Sequence, residues 1–312
     1  MNPETLVRSI ESLQPPLRRP IPKLISMRVA RTRLTLGLLG GIFSAAAVAA
    51  PAAPTELQAM RLLYGNGYTQ RGSVVSIPDP LGIRANKEPG YHNTITEYVT
   101  PWKIAIVNLN GKTYFTATGQ GHAVTEPSNP ESAAHVQSAY ISAIWFVLEG
   151  NRWVPAGKRL NFAVGGSSGV VDGKPWTDFP QMAPLKDSIL LVAEEGGDMH
   201  QGYGSSWYPV YVFDKTGLNS LGEVTSGGDN TGAEASPVIS FSGKIVAATT
   251  AANGQPLITL SYSGETVIQG KPVKMNGVLC GFLYRKDVKQ PDTASFMPQT
   301  PQCTDIASSA SF

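Results

Sequence analysis

Residues 103–118 read Lys-Ile-Ala-Ile-Val-Asn-Leu-Asn-Gly-Lys-Thr-Tyr-Phe-Thr-Ala-Thr, which is two β-prone runs joined by Asn110-Gly111. Both central residues of a tight hairpin turn need positive φ, and Asn-Gly adopts that conformation readily. Side chains alternate along a strand, so Tyr114 and Phe115 are expected on opposite faces of the sheet. The segment therefore predicts an antiparallel β-hairpin.

Similar β-prone runs recur through the rest of the chain and are separated by short turns. They lie at 139–148, 152–155, 160–164, 188–193, 207–213, 218–224, 238–241, 244–249, 257–262 and 278–284. Helix-like content is found at 54–64, before two glycines. Charged residues form 15% of the chain, against about 25% in typical domains, which disfavours long solvated helices. We predict an all-β protein, an antiparallel hairpin-rich sandwich or propeller-like architecture with a short N-terminal helix.

An export signal is predicted to begin at Met27 rather than at residue 1. Three arginines lie between Met27 and the apolar run 34–48, and Ala47-Val48-Ala49 follows the small-residue pattern of a cleavage site. These are the three parts of a secretory signal peptide. A membrane-spanning helix needs about 20 apolar residues, and this run is shorter and contains glycines, so an uncleaved anchor is the less favoured alternative.

The predicted organisation follows from that signal. Residues 1–26 are expected to be an over-called translation start or a disordered tail, and 27–50 the cleaved signal peptide. Residues 51–99 form an N-terminal lead-in segment, and 100–312 an all-β domain. A sub-boundary near 169–184 is compatible with the sequence, because that stretch is loop-like and rich in glycine and proline.

Charge restricts the classes of partner. Residues 1–50 carry seven basic and two acidic side chains, which leaves 18 basic and 21 acidic in the mature part, a net charge of −3. A nucleic-acid binder needs clustered Lys and Arg to neutralise phosphates, and no such cluster is present. Nucleic acid is therefore not expected as a partner. A protein or glycan ligand in the envelope or outside the cell is expected, with no stable membrane span after signal cleavage.

The two cysteines are predicted to form a disulfide. Cys280 and Cys303 are the only cysteines, and export to a periplasmic or secreted location would place them in an oxidising environment. The bond would tie the C-terminal tail to the last predicted strand. No metal or cofactor is predicted, since the histidines show none of the usual ligand spacings. The histidines are His92, His122, His135 and His200.

The segment 194–208 is the most unusual part of the mature sequence. It joins two predicted strands by a long loop that combines acids, a histidine, glycines and aromatic residues, and long hairpin loops are often functional. Aromatic side chains here would stack on a sugar or bind a protein partner, and the acids and the histidine would supply polar contacts. A loop packed by its own aromatics over one end of the β core is the favoured alternative. The predicted ligand- or partner-binding residues are Glu194, Asp198, His200, Tyr203, Trp207 and Tyr208.

One catalytic motif is matched only formally. Residues 165–169 read Gly-Gly-Ser-Ser-Gly, which fits the pattern of a nucleophile elbow around Ser167. An elbow needs a helix directly after the turn, and residues 170–175 cannot begin one of useful length. A flexible turn is the better interpretation, and no catalytic residue is assigned.

The sequence thus favours an exported soluble binding or inhibitor-type protein of the bacterial-type cell envelope, without a catalytic centre. The alternative is a secreted hydrolase that acts on polysaccharide or peptidoglycan through a carboxylate such as Glu194 or Asp198. A structural module of the envelope is a third interpretation.

Overall fold

The computed structural model describes residues 51–78, 94–134, 137–171, 174–286 and 295–311, which belong to one compact unit. The predicted signal peptide at 27–50 and the segment 1–26 lie outside the described residues, as do His92 and His135. Among the helices of the described chain, none combines the length and the apolarity that crossing a bilayer requires.

Strands, nearly all of them paired antiparallel, make up 62% of the structure, which confirms the all-β prediction. The two helices are α1 (Glu56–Tyr64) and α2 (Pro301–Ser308). The strands are β1 (Ser73–Pro78), β2 (Thr94–Leu109), β3 (Lys112–Ala123), β4 (Ala139–Glu149), β5 (Arg152–Gly165), β6 (Thr177–Asp178), β7 (Gln181–Pro184), β8 (Ile189–Val192), β9 (Gly196–His200), β10 (Tyr203–Asp214), β11 (Gly217–Asp229), β12 (Ser240–Thr250), β13 (Pro256–Ile268), β14 (Lys271–Arg285) and β15 (Ser295–Pro298).

The strands form two sheets, and of the two predicted architectures the sandwich fits. The first sheet has six strands in the order β1-β2-β3-β4-β5, with β6 beside β2. The second has nine in the order β15-β14-β13-β12-β11-β10-β8-β7, with β9 beside β10. Aromatic side chains join the sheets: Trp102 contacts Tyr211, and Trp145 contacts Phe213, at ring-centroid distances of 5.8 and 6.4 Å. Edge-to-face contacts of this kind bury large apolar area between the layers.

The nine-stranded sheet is curled around its own hydrophobic cluster. Ala183 of β7 and Phe296 of β15, from opposite ends of the sheet, belong to the same cluster as Leu260 of β13. Ile306 of α2 is fully buried in that cluster. The predicted disulfide is confirmed: Cys280 on β14 is bonded to Cys303 on α2, with the two Cα atoms 5.5 Å apart.

The hairpin predicted from Asn110-Gly111 is present between β2 and β3. Asn110 and Gly111 have φ values of 51° and 74°, as the turn requires. Both strands extend well beyond the predicted runs, because they continue through buried polar residues that hydrophobic patterning does not mark. Glu97 and His122 are examples, and both side chains are buried in the six-stranded sheet.

The predicted N-terminal helix is confirmed as α1. Thr55 caps it through a reciprocal pair of hydrogen bonds with Gln58, and Gly65 follows its last turn with φ of 91°. Its buried face packs on the six-stranded sheet through Met60 and Leu63. The second helix, α2, was not predicted, since only eight residues are too few to show helical periodicity.

The chain passes from the first sheet to the second between the end of β5 and the start of β7. This connection overlaps the predicted sub-boundary at 169–184, and within it β6 pairs back to β2. The predicted lead-in segment 51–99 includes α1, β1 and the start of β2, which belong to the six-stranded sheet and its cover. The proposed division into segments stays a prediction.

Candidate functional site

Residues 196–207 of the segment 194–208 form a β-hairpin, so the expectation that a long loop spans this segment was wrong. Strand β9 pairs with the first half of β10 across Gln201 and Gly202, whose φ values are 52° and 84°. Glycine and short polar residues have weak β preference, which hid the strands in the sequence. Backbone hydrogen bonds hold β9 to β10, and β11 pairs with the other edge of β10 along the same stretch.

Cross-strand pairing decides which side chains of this hairpin point the same way. Tyr203 lies opposite His200, and Ser205 lies opposite Asp198, while Trp207 lies opposite Gly196. The register is uninterrupted, so these side chains share one side of the two-stranded ribbon. We call this the hairpin face. It is formed by Asp198, His200, Tyr203, Ser205 and Trp207.

The hairpin face borders a cavity of about 510 Å³. Residues from both strands and from the turn line it. Its volume is within the usual range for small-ligand sites, and its walls offer a carboxylate, an imidazole, an amide and hydroxyls next to a phenol ring. The lining residues are Asp198, His200, Gln201, Tyr203 and Ser205.

A second cavity, of about 360 Å³, lies further along β10 and shares Ser205 with the first. Trp207 and Glu223 line it, together with Ala310 and Ser311, which follow α2. The short segment after α2 therefore supplies one wall of this cavity, and the disulfide ties that helix to β14. The hairpin face thus continues from an open pocket at the turn to a second pocket beside Trp207.

Glu223 on β11 is the residue of this region that sequence reasoning missed. Its carboxylate forms no hydrogen bond or ion pair with the described part of the chain, and desolvation raises its pKa to about 7. Glu223 is an exposed residue by its surface area, so the carboxylate can still ionise close to neutral pH. A single glutamate inside a strand looks like an ordinary solvent-facing residue, so no sequence signal marked it.

Glu194 and Tyr208 lie apart from the hairpin face. They line a separate cavity of about 360 Å³ with Lys244, and the Tyr208 hydroxyl donates to the Gly243 carbonyl over 3.3 Å. Burial raises the pKa of Tyr208. Glu194 Oε1 accepts a hydrogen bond from Lys103 Nζ of the other sheet over 2.6 Å. The structure therefore brings four of the six predicted residues together and gives Glu194 an ion pair between the sheets.

Ser167 lies in a turn against strand β9. Its hydroxyl donates to the Gly197 carbonyl over 3.3 Å, and the turn closes through a bridge between Ser167 and Val170. The following described element is the short strand β6 rather than a helix. A turn that supports the hairpin describes this residue better than a nucleophile elbow does.

His122 is buried between turns. Its Nδ1 and Nε2 lie 3.3 and 3.1 Å from the carbonyl oxygens of Gly169 and Pro130, which ties the end of β3 to two connecting segments. Within the described ranges, no group of three or more His, Cys, Asp and Glu side chains is placed to hold a metal ion.

The chemistry of the hairpin face follows from its own residues. No known family, curated protein or solved structure matches this chain. What the site contains is aromatic area from Tyr203 and Trp207 next to several hydrogen-bonding groups. Such a combination suits a ligand that has both an apolar surface and a rim of hydroxyl or amine groups.

Proposed function

We propose that this protein is an exported binding protein of the bacterial-type cell envelope, periplasmic or secreted, and that its hairpin face binds a glycan. The observation that carries the proposal is the shared cavity of Asp198, His200 and Tyr203, with Trp207 on the same face. A sugar ring presents C–H groups that pack on an aromatic ring, while its hydroxyls pair with carboxylate, imidazole and hydroxyl groups.

The shape of the site favours a small ligand over a protein partner. A stable protein interface buries about 800 Å² on each partner and is usually broad. The hairpin face instead borders a concave space of about 510 Å³, which is the size of a small-molecule site. The disulfide agrees with folding in an oxidising compartment, where envelope glycans would be encountered.

Replacing Tyr203 by Ala is expected to weaken glycan binding about tenfold, because an aromatic contact contributes about 0.5–1.5 kcal/mol beyond its buried area. Isothermal titration calorimetry with a panel of envelope and extracellular oligosaccharides measures this change. The matched control is Met199→Ala, since Met199 is 63% exposed on the other side of the same hairpin. Equal binding by wild type and folded Tyr203→Ala, or no binding across the panel, would contradict the proposal.

A hydrolase is the second candidate, and one specific observation favours it. Asp198, His200 and Ser205 line the same cavity, so acid–base groups lie next to a hydroxyl. Glu194 is less suited to this role, because one of its oxygens is held by Lys103. Turnover of a bound glycan by the wild type, abolished in Asp198→Asn with binding retained, would establish the hydrolase. Binding without turnover supports the binding protein.

A further inference from the structure

Resting on the proposed function, we propose further that the bound glycan carries a free ammonium group, as an amino sugar does. Glu223 and Trp207 bind that group in the cavity of about 360 Å³ next to the hairpin face. Ser205 lines both cavities, so the cavity that contains Glu223 adjoins the hairpin face along β10.

The first argument is the state of the Glu223 carboxylate. It lies on a cavity wall, and no described side chain or backbone group bonds to it. A carboxylate that the protein leaves without a partner attracts an incoming cation, and the cation in turn favours the ionised form. A Cβ added to Gly165 of β5 would lie 3.4 Å from Glu223 Oε1, so the backbone of β5 closes one side of the carboxylate.

The second argument is the aromatic side chain that lines the same cavity as the carboxylate. Trp207 lines the same space, and the face of an indole ring attracts cations through its quadrupole. Thr225 and Ser311 add hydroxyl oxygens that can accept N–H groups. One carboxylate, one indole and two hydroxyls match the three N–H donors and single charge of a primary ammonium group.

Ionisation of the Glu223 carboxylate is expected to set the pH dependence of amine binding. Tyr211 on β10 is the neighbouring titratable group, and the charge of Glu223 adds to the effect of burial in raising the pKa of that phenol. Desolvation alone accounts for the raised pKa of Glu223, about 7. Between pH 5.5 and 7 the carboxylate therefore becomes increasingly ionised, while the ligand amine stays largely protonated. Binding of the amine should strengthen over this interval.

The raised pKa of Glu223 indicates that the Glu223→Gln variant will fold. The folded-state pKa lies above the ordinary value of a glutamate, so the folded protein holds the proton more tightly than the unfolded chain does. Stability therefore falls as pH rises from the ordinary glutamate pKa through about 7. Glu223→Gln removes this loss and should leave the free energy of unfolding at pH 8 unchanged or higher.

The test compares a glucosamine disaccharide with its fully N-acetylated counterpart by calorimetry at pH 7. The wild type should bind the free amine about tenfold more tightly, and Glu223→Gln should lose that preference while keeping its affinity for the acetylated sugar. In the wild type, affinity for the free amine should rise about tenfold from pH 5.5 to 7, and in Glu223→Gln it should not change. Glu149→Gln, an exposed glutamate at the end of β4, is the matched control.

The outcomes separate the two proposals. Equal binding of both sugars by the wild type, or an unchanged amine preference in folded Glu223→Gln, overturns the ammonium site and leaves the glycan-binding proposal standing. Absence of binding for either sugar and for the wider oligosaccharide panel overturns both proposals. A preference for the free amine that Glu149→Gln keeps and Glu223→Gln loses supports the assignment.

Discussion

Replacing Glu194 by Ala is expected to lower the free energy of unfolding by about 3 kcal/mol, because it leaves the buried Lys103 charge without its carboxylate. The Lys103 side chain is fully buried, and its Nζ lies 2.6 Å from Glu194 Oε1 and 2.6 Å from Thr177 Oγ1. Glu194 is about one-third exposed, which places the expected loss at the lower end of the range for buried ion pairs. Urea denaturation at pH 7 measures it.

The chain offers a matched control for this measurement. Lys274 and Glu265 form an ion pair of 2.9 Å on the surface, and Glu265→Ala should produce no measurable change. In the Glu194→Ala background, adding Lys103→Met should recover most of the lost stability, because it removes the stranded charge. Equal changes in the free energy of unfolding for Glu194→Ala and Glu265→Ala would show that the pair between the sheets stabilises the fold no more than a surface pair does.

Removing the disulfide is expected to have an effect of similar size. The bonded cysteines are 23 residues apart. Closing a loop of that length lowers the entropy of the unfolded chain, which stabilises the folded protein by about 3 kcal/mol in the chain-entropy model. Both cysteines are buried, so Cys280→Ala with Cys303→Ala avoids placing new polar atoms in the core. Loss of the bond should also weaken binding of the free-amine sugar, because α2 positions Ala310 and Ser311 in that cavity.

A reductant distinguishes the bond from the side chains themselves. Dithiothreitol should lower the unfolding midpoint of the wild type and leave the double variant unaffected. Thiol titration reports whether the wild-type bond has been reduced. A wild type that is fully reduced yet unfolds at the same urea concentration would contradict the role assigned to the disulfide.

Local features of the sequence were sufficient for several elements. Asn110-Gly111 specifies its turn because few dipeptides adopt two positive φ values. The helix α1 and the separate strands β8 and β10 also followed from short patterns. The signal peptide at 27–50 stays a prediction, since it lies outside the described residues.

The same reasoning identified the segment that contains the candidate site but not its structure. Unusual composition drew attention to 194–208, but its glycines concealed a hairpin whose pairing depends on β11. Alternation along that hairpin then grouped Asp198, His200 and Tyr203 and left Tyr208 on the other side. Without the strand register, the direction of each side chain could not be assigned.

What the sequence determined by itself was the class of structure: turn dipeptides, alternating strands, a short N-terminal helix and one possible cysteine pair. The tertiary structure alone decided which distant groups meet. Lys103 and Glu194 are 91 positions apart, and Glu223 lies in a strand with nothing to mark it. Backbone preferences act over a few residues and can be read locally. Ion pairs and cavities form only when sheets pack, so their members are chosen by the whole fold.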